Sequence, residues 1–253
     1  MFNLASTDLR RRARVRAQES REVFGFNNLV PIDIWKLLQS NGISVIKEPL
    51  ESEISGLFMR KGDTQLILIN SARTLGHQNF TAAHELFHLR YNPEMVGRAC
   101  KVMNFNSKSQ TEREADLYAA YFLAPDEAIK RYLTKHGTSM DIAAVIFLEQ
   151  FLGLSHQAML IRLQELGVID SAMSERMSKG VVRTAKELGY NTDLYRPTND
   201  RIIISDYAEK AKRALEQGLI SFGRYEELLI EAGLEDIIYG GEDDDGGDEA
   251  IFI

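Results

Sequence analysis

His84, Glu85 and His88 stand in an H-E-x-x-H arrangement, and that spacing has a chemical reason. Residues four apart on an α-helix share a face, about 5–6 Å apart at Cβ. Two imidazoles in that register can hold one zinc ion. The glutamate between them, one step round the helix, can reach a water activated by that ion. The chemistry on offer is metal-assisted hydrolysis of a peptide bond, with Glu85 as general base.

A catalytic zinc takes three protein ligands and keeps one position open. The third is expected downstream, on an element that packs against the first helix. Glu112-Arg113-Glu114-Ala115-Asp116 fits. Glu112 and Asp116 are four apart, so Glu112 can bind metal while Asp116 accepts the ring N–H of a ligating histidine. Glu114 points to another face and is the weaker candidate. Ala115 and Ala119 lie beside them, small enough for two helices to approach closely. The plainer reading of Glu112 is a solvated acid at a helix start. The plainer reading of one buried histidine is an ordinary hydrogen-bonded core residue; two with an intervening Glu are explained together by a metal.

These residues need a scaffold. A helix over about 80–91, capped by Asn79, is apolar on most of its surface and so belongs inside. A second covers about 110–123 and stops before Pro125. Ahead of them come helices over 6–24 (capped by Ser6 or Thr7) and from Pro31 to about Ser40, then strands at Ile43–Lys47, Gly56–Arg60 and Gln65–Ile69. Either of the last two strands could pair with an extended substrate. Two helices around Gly153-Leu154-Ser155, one over 171–189, a short strand at 201–205 and two more helices complete the chain.

The 253 residues are 44% hydrophobic and 26% charged, an ordinary globular balance. No apolar run is long enough to cross a bilayer, and the start carries no secretory signal pattern. The single Cys100 excludes an intramolecular disulfide and fits a reducing cytoplasm; it has no Cys or His partner at motif spacing, which argues against a thiol nucleophile. The net charge of −7 disfavours direct nucleic-acid binding. Arg10, Arg11, Arg12, Arg14, Arg16 and Arg21 crowd the start and read as a solvated basic helix. The helix pair over 151–163 resembles a helix-turn-helix but offers only Arg162 as a basic contact, so it reads as a packing unit.

The stretch Asn79–His88, with Glu112 through Pro125 and the strands at Ile54-Ser55-Gly56 and Leu66–Asn70, resembles the ImmA/IrrE metallopeptidases over roughly residues 6–170. The resemblance implies a gluzincin-like core, a Zn2+ cofactor held by His84, His88 and Glu112, and Glu85 as base. Asp116 stands where many members carry Asn, and can still accept from an imidazole. The similarity starts too early to leave room for the family's frequent N-terminal DNA-binding domain. The implied substrate is a repressor- or antitoxin-like regulatory protein of a mobile element or stress operon. The rival is a catalytically silent regulator that keeps the metal fold and holds a partner. Tyr91, Tyr118 and Tyr121 are all open as oxyanion donors; His77 reads as a loop residue ahead of the helix, and His136 and His156 read as structural.

The expected fold is α+β. Residues 1–135 form a minimal zincin-like core, a small three-stranded antiparallel or mixed sheet with the two metal helices. A helical, helix-turn-helix-like subdomain (136–190), a C-terminal helical module (191–240) and an acidic, disordered tail (241–253) follow. The apolar end of that tail, Ala250–Ile253, is a candidate docking segment.

Overall fold

In the computed structural model, which describes residues 4–100, 109–137, 140–234 and 236–239, the architecture is α+β. A mixed sheet has the order β4-β2-β3-β1-β5, with β1 Ile43–Glu48, β2 Gly56–Lys61, β3 Thr64–Asn70, β4 Gly97–Cys100 and β5 Ile202–Ile204. The three expected strands form its centre. β1 runs parallel to β3, and β2 and β3 are an antiparallel hairpin in the register Lys61↔Thr64. Two further strands extend the sheet, β5 on β1 and β4 on β2. β3 is therefore interior, and the outer edge of β2 is taken by the chain itself. Neither offers the free edge expected for a substrate.

Helix α1 spans Leu4–Val23 and α2 spans Ile34–Ser40. Asp33 caps α2 by accepting from the Lys36 amide, so Pro31 precedes the helix and does not start it. The central helix α3 spans Leu75–Tyr91, five residues earlier at its start than the apolar pattern shows, because Thr74 supplies the cap and accepts from the His77 amide. Asn79, read as the cap, lies inside the helix and donates to the Gly153 carbonyl (2.8 Å). Every residue from Phe80 to Leu89 is buried, as an all-round apolar helix requires.

α3 packs against β2, β3 and α4 (Gln110–Leu123), and α4 packs in turn along α1. Ala115 and Ala119 are wholly buried on α4. The helices α5 (Asp126–His136), α6 (Ile142–Leu152) and α7 (His156–Glu165) follow. The segment expected as one helix over 171–189 is two, α8 (Ser171–Met177) and α9 (Val181–Glu187). Gly180, at φ +74, sits in the left-handed region that a helix interior excludes. Among the described residues no single helix is long and apolar enough to cross a membrane; α6 and α7 would need to be joined, and they bend by 109°.

The chain divides into residues 1–204 and 205–253. Within the second unit α10 (Tyr207–Glu216) and α11 (Phe222–Glu231) pack on each other, with Ala211 and Leu229 buried, and α12 (Asp236–Tyr239) adds a single turn. The acidic tail and its apolar end lie outside the described residues.

The arginines of α1 are not simply solvated. Arg12 and Arg16 donate to Glu114, at 2.7 and 2.8 Å, and Arg14 pairs with Asp126. Arg21 is fully buried and donates to the carbonyls of Asn27, Val30 and Phe122. Arg162 is also buried, donating to the Ala124 carbonyl and to Asp126 and Glu165, so it is not available to a DNA backbone. Two buried guanidinium groups thus meet the carbonyls at the end of α4, which a helix leaves without internal partners and where its dipole favours a cation. Replacing Arg21 with Met keeps much of its volume but orphans these buried acceptors. We expect Arg21→Met to lose about 2–3 kcal/mol of stability, read as a lower urea midpoint at unchanged m-value.

Candidate metal centre

Two helices and one strand bring the polar groups together. α3 presents His84, Glu85 and His88; α4 presents Glu112 and Asp116; β4 presents Cys100. One donor atom from each of His84, His88, Cys100 and Glu112 lies within 4.8 Å of the other three, and all four residues are buried. Nε2 of His84 is 3.4 Å from Glu112 Oε2, and Nε2 of His88 is 3.7 Å from Glu112 Oε1. The far nitrogens are also engaged: His84 Nδ1 meets Asp116 Oδ1 at 2.9 Å, and His88 Nδ1 meets Asn92 Oδ1 at 2.9 Å.

Those outer bonds decide what the inner nitrogens present. An Nδ1–H that donates to an oxygen leaves Nε2 with its lone pair. Both Nε2 atoms then face each other, 3.2 Å apart, inside the core. A shared proton or a metal ion between the nitrogens satisfies that pair. The titration behaviour says the same. Burial alone would push His84 toward the neutral form, but hydrogen bonds to Asp116, Cys100 and Glu112 outweigh it and raise its pKa well above the ordinary imidazole value. Two imidazoles and a carboxylate are also a donor set that suits a transition-metal ion. The residues present fit a metal.

Glu85 is buried beside this cluster, and its carboxylate oxygens meet no N–H or O–H donor among the described residues; the Cys100 thiol is its hydrogen-bonding neighbour. Burial raises its pKa to about 7. Phe58 of β2 stacks on the His88 ring, with centroids 5.3 Å apart and planes 11° from parallel, which fixes the ring's tilt.

The IrrE N-terminal-like domain model of the M78 peptidases matches residues 38–164, just over half of the chain. The chain belongs to this peptidase family. The match takes in all five strands but β5, both helices of the cluster and every residue named in it. Helix α1, which packs most extensively on α4, lies ahead of it. A search of the curated proteins found no match.

The remaining candidates lie elsewhere. Glu114 faces α1, as its Arg12 and Arg16 bonds show. Tyr91 donates to the Arg16 carbonyl (2.9 Å), Tyr118 stacks on Phe122, and Tyr121 lies under Arg14 and Arg162. All three pack the α1–α4 side. His77 belongs to α3, contrary to its reading as a loop residue. Its Nε2 pairs with Ser55 Oγ (3.0 Å), and burial lowers its pKa to about 4. His156 bridges Glu149 and the Met177 carbonyl, and His136 stacks on Tyr132. Sequence reasoning missed Asn92 and Cys100. Asn92 was within reach, since it lies four residues beyond His88 on the same helical face. Cys100 carries no such signal, because the fold alone delivers it.

Gly56 shows how closely β2 approaches this helix. A Cβ there would sit 2.6 Å from Thr81 Cγ2, 2.9 Å from the Leu68 carbonyl and 3.5 Å from Glu85 Oε1. The two nearest contacts are too short for any real side chain. Gly56→Ala should therefore destabilise the fold by about 1–3 kcal/mol; an unchanged urea midpoint would contradict this packing.

Proposed function

We propose that this protein is a zinc-dependent, site-specific endopeptidase of the cytoplasm whose substrate is a repressor- or antitoxin-like regulatory protein. The observation that carries the reading is the convergence of His84, His88 and Glu112 beside a buried Glu85. Membership of a peptidase family supports a protein substrate. The involvement of the α1 arginines in internal acids and carbonyls, with a net charge of −7, supports protein over nucleic acid.

In this reading His84, His88 and Glu112 hold zinc, and Asp116 keeps His84 in the tautomer that points Nε2 inward. Zinc supplies Lewis-acid chemistry: it polarises a peptide carbonyl and acidifies water. Glu85 takes the proton from the attacking water and passes it to the leaving nitrogen. Its carboxylate is buried beside the cluster, with the Cys100 thiol as its hydrogen-bonding neighbour.

Three substitutions test this. Glu85→Gln should lower cleavage of the target regulator by about 10²–10⁴-fold while bound metal stays stoichiometric. A partner-holding regulator would show no cleavage to lose and would keep its partner in both forms. Glu112→Ala should bind metal well below one equivalent by elemental analysis; one full equivalent would remove Glu112 from the ligand set. Asp116→Ala should weaken zinc affinity about 10–100-fold in a competition titration with a chelator, and an unchanged affinity would dismiss its orienting role.

A further inference from the structure

Cys100 is the chain's single cysteine, and the catalytic reading leaves it without a task. It ends β4, which runs antiparallel on the outer edge of β2 with Cys100 opposite Gly56. The Ser55 amide donates to the Cys100 carbonyl (3.0 Å) and continues that pairing. Gly56 itself lies against Glu85. The register therefore delivers the thiol to the cluster, where Sγ shares the 4.8 Å span with donors from His84, His88 and Glu112. A second observation concerns the edge. An extended peptide binds most simply by adding a strand to an exposed sheet edge. The edge of β2, which flanks Glu85, is already filled by the chain's own β4. His84, Glu85 and His88 are all fully buried in this arrangement.

We propose that Cys100 is a fourth metal donor, delivered by β4 as an internal stand-in for substrate, so that the structure is the closed form of the site; this rests on the metallopeptidase reading above. A zinc site with three protein donors keeps a position for water, and one with four is closed. On closure the S–H bond breaks, its proton leaves to solvent and Sγ bonds the metal, with no oxidant or reductant involved. Opening exchanges Sγ for water and frees the β2 edge. β4 suits that exchange: it has only four residues and pairs with one neighbour, so it releases few backbone bonds on leaving. A partner whose extended segment outcompetes β4 would both open the metal and dock at the edge it vacates.

The full-length, zinc-loaded protein tests this by X-ray absorption at the zinc edge. The wild type should show one sulfur neighbour at about 2.3 Å, and Cys100→Ser should lose it while keeping its zinc. Acetohydroxamate, a small chelating probe that needs an open position, should bind the cobalt-loaded Cys100→Ser protein roughly tenfold or more tightly than the cobalt-loaded wild type, since a closed majority lowers apparent affinity by the open fraction. Stoichiometric zinc without a sulfur neighbour overturns the fourth donor and leaves the metallopeptidase reading intact. Equal hydroxamate affinity overturns the closure in the same way. A protein that takes up no zinc overturns both readings. The wild-type sulfur shell is read without any variant, so the test survives a Cys100→Ser protein that fails to fold.

Discussion

Two imidazole nitrogens face each other 3.2 Å apart in a buried core, and the rest of the structure is organised around that constraint. Neither ring can turn away. His84 is held from behind by Asp116, and His88 by Asn92 and the Phe58 ring. A shared proton or a metal ion satisfies that pair, and Glu112 stands where its charge would be balanced. Burial raises the stakes of each contact, since an unpaired polar group costs far more there than at a surface. The same burial takes in Glu85 beside the cluster.

Holding α4 in register with α3 is the main structural demand, and α1 meets much of it. Glu112 and Glu114 are two residues apart, which on a helix of 3.6 residues per turn places them on nearly opposite faces. One faces the histidines and the other is gripped by Arg12 and Arg16. The end of α4 is closed by Arg21 from α1 and by Arg162 from α7. A basic helix that looks like a nucleic-acid contact is in large part a clamp on the helix that carries Glu112. It lies ahead of the segment matched to the peptidase family.

Much of this was legible in the sequence because it is local. The i, i+4 spacing of His84 with His88 and of Glu112 with Asp116 is a property of helices themselves, and the structure places these residues on shared faces pointing at one another. The three central strands read correctly from their apolar runs. What escaped depends on tertiary context. Thr74 begins α3 ahead of the apolar stripe, since a cap answers to backbone amides and not to hydrophobic periodicity. Asn79 had the chemistry of a cap, but Gly153 claimed its side chain. β4 is too short to show alternation, and its strand character comes from pairing with β2.

That last omission has the greatest functional weight. A sheet edge is usually blunted because unpaired backbone groups invite other chains. Here the protection is four residues long and ends on a soft donor beside the metal-binding groups. A longer or better-anchored cover would protect the edge more firmly but would bar a peptide from it. A bare edge would leave Glu85 and the inward-facing nitrogens open to any extended segment. A short strand tied at one end to the metal lies between these limits. Its release is coupled to the chemistry, because the group that would leave the metal belongs to the strand that would leave the edge. Selectivity can then reside in which segment displaces β4, as well as in which bond fits beside Glu85.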